Sequence, residues 1–112
     1  MKSIKIYGLP VIVSERYRIV LDKNIRSLYN IKKNDDVLMN ITQGFLCVSP
    51  YDQSSSAGEK KNITIGRFNI PAAWANSNHI KIGDYVYLIA TDIGIIVCPK
   101  NFELLCLGGM QQ

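Results

Sequence analysis

Long hydrophobic runs are missing from this sequence of 112 residues. No segment approaches the roughly 20 consecutive apolar residues that a membrane-spanning helix needs. The start of the chain, MKSIKIYGLP, is too polar for the apolar stretch of a signal peptide. We therefore expect a cytoplasmic protein that does not interact with membranes.

Residues that carry reaction chemistry are also scarce. The three cysteines, Cys47, Cys98 and Cys106, are an odd number, and none pairs with another at metal-ligand spacing. Two of them lie in apolar segments, which is typical of small buried side chains. The single histidine, His79, has no acid or cysteine at ligand spacing. Because P-loop, nucleophile-elbow and dinucleotide-binding glycine patterns are missing too, we expect no enzyme activity, no cofactor and no metal site.

What the sequence does contain is an internal repeat with an offset of 49 residues. The segment RIVLDKNIRSLYNIKKNDDVLMNIT lies over RFNIPAAWANSNHIKIGDYVYLIAT without a gap. Such self-similarity indicates one supersecondary unit used twice, because a unit of about 45 residues cannot bury its apolar face alone. We expect a pseudo-dimer within one chain, with one shared core. The identical pairs are Arg18/Arg67, Ile31/Ile80, Lys32/Lys81, Asp35/Asp84, Val37/Val86, Thr42/Thr91, Val48/Val97 and Pro50/Pro99.

In the first copy, the pattern predicts short strands around one short helix. Asp22 is the expected N-cap of this helix, and Ile25, Leu28 and Tyr29 fall on one face of it. Asn30 is expected at the helix end in a left-handed conformation, which asparagine tolerates. The predicted strands are residues 2–7, 11–13, 16–21, 37–41 and 45–49, of which the last two form a hairpin.

The second copy repeats this plan. Pro71 is expected at the first helical position, where its missing N–H costs nothing. Trp74 is a predicted core residue, and His79 stands at the helix end, where it needs no role as a ligand. Asp35 and Asp84 recur in a polar turn and are interpreted as acceptors for turn N–H groups. The predicted strands are residues 60–70, 85–90, 93–98 and 102–107.

These elements predict a mainly β fold of about eight short strands and two short helices. Short antiparallel strands of this kind are expected to close into one small barrel with pseudo-two-fold symmetry. The whole chain is expected to be one intertwined structural domain. Its parts are 1–50, an N-terminal strand plus the first repeat; 51–59, a Ser/Gly-rich linker; 60–101, the second repeat; and 102–112, a tail.

The order of motifs in the second copy points to a family. Arginine, Ile-Pro, Ile-Lys-x-Gly-Asp-x-Val and a hairpin ending in Ile-Val-x-Pro stand here as RFNIPAAWANSNHIKIGDYV and IGIIVCP. This pattern resembles the swapped-hairpin AbrB-like domain of the AbrB, SpoVT and MazE transcription factors and antitoxins. The first copy resembles it too, with Leu21-Asp22 in place of Ile-Pro and Asn34 in place of glycine. In that family two half-barrels exchange hairpins, so the resemblance implies that the two copies do this within one chain.

The resemblance also implies DNA-contacting residues. Members of the family bind DNA through basic residues near the helix and the loop before it. By position, Arg18 and Arg67 match the arginine before Ile-Pro, and Arg26 matches the arginine of the short helix. Ala75 stands at the matching helix position of the second copy. The resemblance thus implies an asymmetric DNA site that is read mainly by the first repeat.

Charge along the chain favours the same partner. A net charge of +4 and a pI near 9.0 are compatible with nucleic-acid binding. Arg16, Arg18, Lys23 and Arg26 cluster around Tyr17 in the first copy, which is the more basic one. Arginine can read guanine through two hydrogen bonds, whereas lysine mainly attracts phosphate. The competing interpretation is a solvated helix face whose long side chains cover apolar neighbours.

We therefore predict a DNA-binding transcriptional regulator without enzyme activity. Its partner is double-stranded DNA, and further pairing between two chains is left open. The alternative is a protein-interaction or antitoxin-like module with little or no DNA binding. A third interpretation, a barrel with a small-molecule or enzymatic role, stays open because a fold does not determine its function. The predicted DNA-binding residues are Arg16, Arg18, Lys23, Arg26 and Arg67.

Overall fold

The structure is a computed structural model that describes residues 8–42, 44–53 and 58–99. Within these ranges the chain forms eight strands, two short α-helices and one 3-10 turn, in agreement with the predicted mainly β class. No helix in these ranges is long and apolar enough to cross a membrane. The predicted strands at residues 2–7 and 102–107, and Cys106, lie outside them.

The elements follow one another in the same order in both copies. The first copy contains β1 (Gly8–Ile12), the 3-10 turn (Glu15–Tyr17), β2 (Arg18–Val20), α1 (Lys23–Ser27), β3 (Asp36–Thr42) and β4 (Phe45–Pro50). The second copy contains β5 (Glu59–Asn62), β6 (Arg67–Asn69), α2 (Ala72–Ser77), β7 (Tyr85–Ala90) and β8 (Ile95–Pro99).

The two copies are interleaved in one antiparallel sheet. Its six strands have the order β1-β7-β8-β4-β3-β5, and β2 pairs with β6 in a separate two-stranded ribbon. β1 of the first copy pairs with β7 of the second, whereas β5 of the second pairs with β3 of the first. The two hairpins join through β4 and β8. Each copy therefore completes the sheet of the other.

Two matching hydrogen bonds run between the copies. The backbone N–H of Val13 donates to the carbonyl of Asp84 at 2.8 Å, and that of Ile63 donates to the carbonyl of Asp35 at 2.9 Å. Both bonds join the start of one copy to the polar turn of the other. Equivalent ends of the two copies are therefore held by contacts with the other copy.

Two segments that were predicted to be continuously extended are interrupted by tight turns. Arg16 and Tyr17 have φ angles of 64° and 55°, and Ile65 and Gly66 have φ angles of 50° and 73°. A left-handed backbone ends a strand, so each chain segment leaves the sheet and enters the ribbon. The first turn is one residue longer than the second, so the gapless match of the repeat ends at these turns. The predictions concerned are those for residues 16–21 and 60–70.

The prediction of a closed barrel is wrong. The hydrogen-bonded ladder of the sheet ends at β1 on one side and at β5 on the other. Closure would need β1 and β5 to be joined through further strands, but β2 and β6 pair with each other instead. Both edges carry features that disfavour further pairing: Pro10 in β1 has no N–H, and β5 carries Glu59, Lys60 and Lys61.

Local predictions at the helix ends are confirmed. The carboxylate of Asp22 accepts the N–H groups of Asn24 at 2.9 Å and of Ile25 at 3.1 Å, as an N-cap does. Asn30 and His79 both have a φ of 57°, the left-handed conformation expected at that position.

The polar turns also behave as predicted, with one small shift at the second helix. Asp35 and Asp84 accept the backbone N–H groups of Lys32 and Lys81, each at 2.8 Å, which confirms their structural role. Pro71 lies one residue earlier than predicted, at the N-cap, because its ψ of 131° is extended. The helix begins at the next residue.

A single core contains apolar residues from both copies. Trp74 is 5% exposed and belongs to it, and Cys47 and Cys98 are buried, all as predicted. In the described ranges no polar or charged residue is buried. The largest fully buried side chains are those of Phe68, Ile19, Leu21, Leu46, Ile63, Leu88 and Ile95.

In each copy, a side chain in or just after the helix is hydrogen-bonded to the hairpin tip of the other copy. The indole N–H of Trp74 in α2 donates to the carbonyl of Gly44, at the tip of the β3–β4 hairpin, at 2.9 Å. The hydroxyl of Tyr29, just after α1, lies 2.6 Å from the carbonyl of Thr91 and 3.0 Å from that of Gly94, at the β7–β8 tip. These contacts join the two copies at their hairpin tips.

Candidate nucleic-acid interface

The ribbon of β2 and β6 brings two of the predicted DNA-binding residues together. At its centre Ile19 pairs with Phe68, and both side chains are buried. Because side chains alternate along a strand, the flanking residues of both strands lie on the opposite, outward face. Those outward residues are Arg18, Val20, Arg67 and Asn69.

The two arginines of this face are diagonal neighbours in the ribbon. Arg18 stands opposite Asn69, and Arg67 stands opposite Val20. Diagonal partners on an antiparallel pair have Cβ atoms about 7–8 Å apart. Arg67 is exposed and Arg18 is half-buried, so both guanidinium groups can reach the same ligand from a rigid base.

The turn before β2 adds Arg16 at the Arg18 end of the ribbon. The side-chain amide of Asn69 donates to the backbone carbonyl of Arg16 at 2.9 Å. The hydroxyl of Tyr17 donates to the side chain of Asn76 in α2 at 3.3 Å. Arg16 is exposed, so these two bonds fix the backbone from which its side chain extends.

The turn before β6 lies at the other end, against the polar loop of the first copy. The N–H of Gly66 donates to the backbone carbonyl of Lys33 at 2.8 Å, and the N–H of Ile65 donates to the side-chain oxygen of Asn34 at 2.8 Å. Lys33 is exposed. Arg67 therefore lies beside basic residues of the first copy, although it belongs to the second.

Arg26 lies at the Arg67 end of the ribbon, but its guanidinium group is hydrogen-bonded within the protein. Its Nε donates to the carbonyl of Leu21 at 2.7 Å, and its Nη1 donates to the carbonyl of Ile31 at 3.4 Å. A Cβ atom on Gly66 would lie 3.4 Å from its Nη2, so the guanidinium also packs against the second turn. The half-buried Arg26 therefore links helix α1 to that turn, and its predicted DNA contact stays a prediction.

Replacing Arg26 by alanine should lower the free energy of unfolding by about 1–3 kcal/mol, because two carbonyls lose a charged donor. Chemical denaturation monitored by circular dichroism measures this change. Lys23→Ala is the matched control in the same helix, and we expect a change within about 0.5 kcal/mol for its exposed side chain. Equal losses in the two variants would contradict the structural role of Arg26.

Lys23 is the first residue of α1 and is exposed. It follows Asp22, whose carboxylate is already engaged as the N-cap. No side-chain bond fixes Lys23 in the described ranges, and its long flexible chain is suited to attracting phosphate at short range. Its predicted role stays open.

The positive charge around the ribbon is not neutralised by ion pairs. Among the described residues, the ion pairs are Lys60–Asp36 at 3.5 Å and Lys61–Glu59 at 3.0 Å. Both pairs belong to β5 and its neighbour β3, at an edge of the six-stranded sheet. Hence none of the five predicted DNA-binding residues forms an ion pair within the described ranges, and an anionic ligand could supply the missing charge.

Two observations in the described ranges concern cysteine reactivity and metal ligands. Burial raises the pKa of the Cys47 thiol, which keeps it protonated and poorly nucleophilic. The described residues contain no group of three or more His, Cys, Asp or Glu side chains able to hold a metal ion. The ribbon and its turns therefore remain the part of the structure with the clearest binding chemistry.

Sequence reasoning missed Lys33, Asn34 and Ile65 as part of this region. They come together only because the second turn packs on the polar loop of the first copy. The prediction that DNA is read mainly by the first repeat stays a prediction, but the structure brings basic residues of both repeats together. At one end of the ribbon Arg16 lies near Arg18. At the other end Arg67 of the second repeat lies near Lys33 and Arg26 of the first.

Comparison with known proteins does not identify a family for this chain. No protein-family model, curated protein or solved structure matches the chain. The resemblance to AbrB-like domains therefore stays a prediction from the sequence motifs.

Proposed function

We propose that this chain is a DNA-binding transcriptional regulator and that the ribbon β2–β6, with its two flanking turns, is the face that meets duplex DNA. The observation that carries the proposal is the diagonal pair Arg18 and Arg67 on one outward face. Duplex DNA is a regular array of phosphates, and two arginines at matching positions of the two repeats suit its two strands.

Rigidity of the arginine backbone supports this function. Arg18 and Arg67 extend from strands whose central side chains, Ile19 and Phe68, are fully enclosed in the core. A binding group held on a regular element loses less conformational freedom when it meets its ligand. The ribbon can therefore position the backbone of both arginines before DNA arrives.

The two ends of the ribbon carry different sets of basic residues, and this difference supports an asymmetric site. One end carries Arg16 beside Arg18, and the other carries Arg67 beside Lys33 and the partly engaged Arg26. We propose that both repeats contribute contacts, each end combining residues that are distant in sequence. A covalent pseudo-dimer can differentiate its two ends in this way, whereas two identical chains cannot.

We further propose that the fold is an AbrB-like swapped-hairpin pair within one chain. Two observations support it: the strand exchange of β1 with β7 and of β5 with β3, and the matching bonds between copies. The open sheet departs from the closed barrel of that family. The proposal therefore concerns the exchange of elements and not the closure.

The proposed function is tested by selecting duplexes from a random DNA pool and measuring their affinity by fluorescence anisotropy at two salt concentrations. If about five phosphates are contacted, the logarithm of the binding constant should fall with a slope of about −4.5 against the logarithm of salt concentration. Each of the two ends of the ribbon should leave a preferred sequence in the selected pool. Absence of binding at low salt with micromolar protein would refute the function.

One feature favours the alternative, a protein-interaction module. Ile12 of the edge strand β1 is 59% exposed, and its cross-strand neighbour Tyr85 is 49% exposed. Such an exposed pair of an apolar and an aromatic side chain suits contact with a partner protein through the face of the sheet. Stoichiometric capture of a single protein whose binding is lost in Ile12→Lys, together with no DNA binding, would establish this alternative.

A further inference from the structure

The turn before β6 has an unexpected residue at its tip. Thr64 and Arg67 exchange backbone hydrogen bonds of 3.0 and 2.9 Å around the two central residues, Ile65 and Gly66. Both central residues have positive φ angles, 50° and 73°. A two-residue turn of this type strongly prefers Asn-Gly, because asparagine and glycine tolerate the left-handed backbone.

Folding does not account for isoleucine at this tip. A β-branched residue at positive φ is a strained outlier, so its side chain opposes the turn that contains it. Burial does not compensate, because Ile65 is 69% exposed. Strained residues of this kind tend to be found at functional sites.

The rest of the protein holds this exposed side chain in position. The N–H of Ile65 is bound by the side chain of Asn34, and the N–H of Gly66 by the carbonyl of Lys33, both at 2.8 Å. The carbonyl of Gly66 accepts the N–H of Leu21 at 2.9 Å. Three bonds to the first copy thus fix a tip that its own sequence disfavours.

The equivalent tip of the first copy carries a different side chain. Arg16 occupies the left-handed position of that turn, with a φ of 64°, and is exposed. One tip therefore presents a guanidinium group and the other an apolar group. At the base edges of DNA these two chemistries have different targets, because arginine pairs with guanine and apolar side chains contact the thymine methyl group.

We propose that Ile65 is a specificity-determining residue that contacts the 5-methyl group of a thymine in the major groove. This inference rests on the proposed DNA-binding function and adds a base preference to it. Arg67 and Lys33 beside the tip engage the neighbouring phosphates, which brings the apolar side chain to the base edge. The other tip presents the exposed Arg16 at the position equivalent to Ile65, so it makes no such contact.

The test replaces each thymine of the most enriched duplex, one at a time, by deoxyuridine, which lacks only the methyl group. Wild-type protein should lose about fourfold in affinity at one or two positions, the value for one buried methyl group. The Ile65→Asn variant should bind the thymine duplex and the uracil duplex with equal affinity at those positions. Its midpoint of thermal unfolding should rise, because asparagine suits the turn.

Ile93→Asn is the matched control, since Ile93 is 72% exposed at the tip of the β7–β8 hairpin. It should keep the wild-type sensitivity to uracil. The inference is overturned if Ile65→Asn keeps that sensitivity as well, or if no uracil substitution affects the wild-type affinity. In either case, salt-dependent binding of the duplex would still support the proposed function. Absence of any duplex binding would overturn both.

Discussion

Replacing Arg18 and Arg67 together by alanine should weaken the binding of the selected duplex by about 100-fold or more. The two guanidinium groups lie on the same outward face of the ribbon and lack ion-pair partners in the described ranges. Each arginine contact to a base is worth about 1–3 kcal/mol, and each phosphate contact that is removed lowers the salt slope by about one. Fluorescence anisotropy at several salt concentrations measures both quantities.

The matched control is the double replacement of Lys60 and Lys61 by alanine. It removes the same formal charge, but from β5, where both lysines form ion pairs. We expect its affinity to change only a few-fold, through the long-range field alone. If the two double variants lose equal affinity, binding depends on net charge and the ribbon is not the interface.

Replacing Trp74 by alanine should cost about 3–5 kcal/mol of the free energy of unfolding. Its side chain is 5% exposed in the shared core, and its N–H is bound to Gly44 of the other copy. Truncation would therefore leave a large cavity and release a hairpin tip at once. For a chain of this size, the expected fall in the melting temperature is roughly 10–20 °C.

Leu28→Ala serves as the control for this effect, because Leu28 is 68% exposed just after α1. We expect a change within about 0.5 kcal/mol for that variant. Trp74→Phe should fall between the two, since it keeps most of the apolar volume but loses the N–H donor. A melting temperature of Trp74→Ala equal to that of the wild type would contradict the shared core.

Features controlled by a few neighbouring residues could be predicted from the sequence. The cap at Asp22 and the left-handed residues Asn30 and His79 depend on local backbone sterics and hydrogen bonds. The hairpin strand at residues 85–90 follows from alternation along a single segment and is found as Tyr85–Ala90.

Features that depend on pairing between distant segments could not be predicted in the same way. The tight turns at Arg16-Tyr17 and Ile65-Gly66 are an example, because neither sequence is a usual turn signal. Their backbone is held by bonds to the other copy, such as that from Gly66 to Lys33. The open sheet follows from these turns, which direct β2 and β6 out of the ladder.

The candidate site shows the same division. The repeat of Arg18 and Arg67 at one offset could be read directly along the chain, and so could the excess of basic residues in the first copy. That Arg67 lies beside Lys33, and that Arg26 is engaged by backbone carbonyls, depends on which segments pack together. Local sterics and periodicity thus account for the elements of this protein and for their duplication. Which residues lie beside each arginine depends on the exchange of strands between the copies. The sequence does not reveal it, because the hydrogen bonds and buried contacts that position the arginines join residues far apart in the chain.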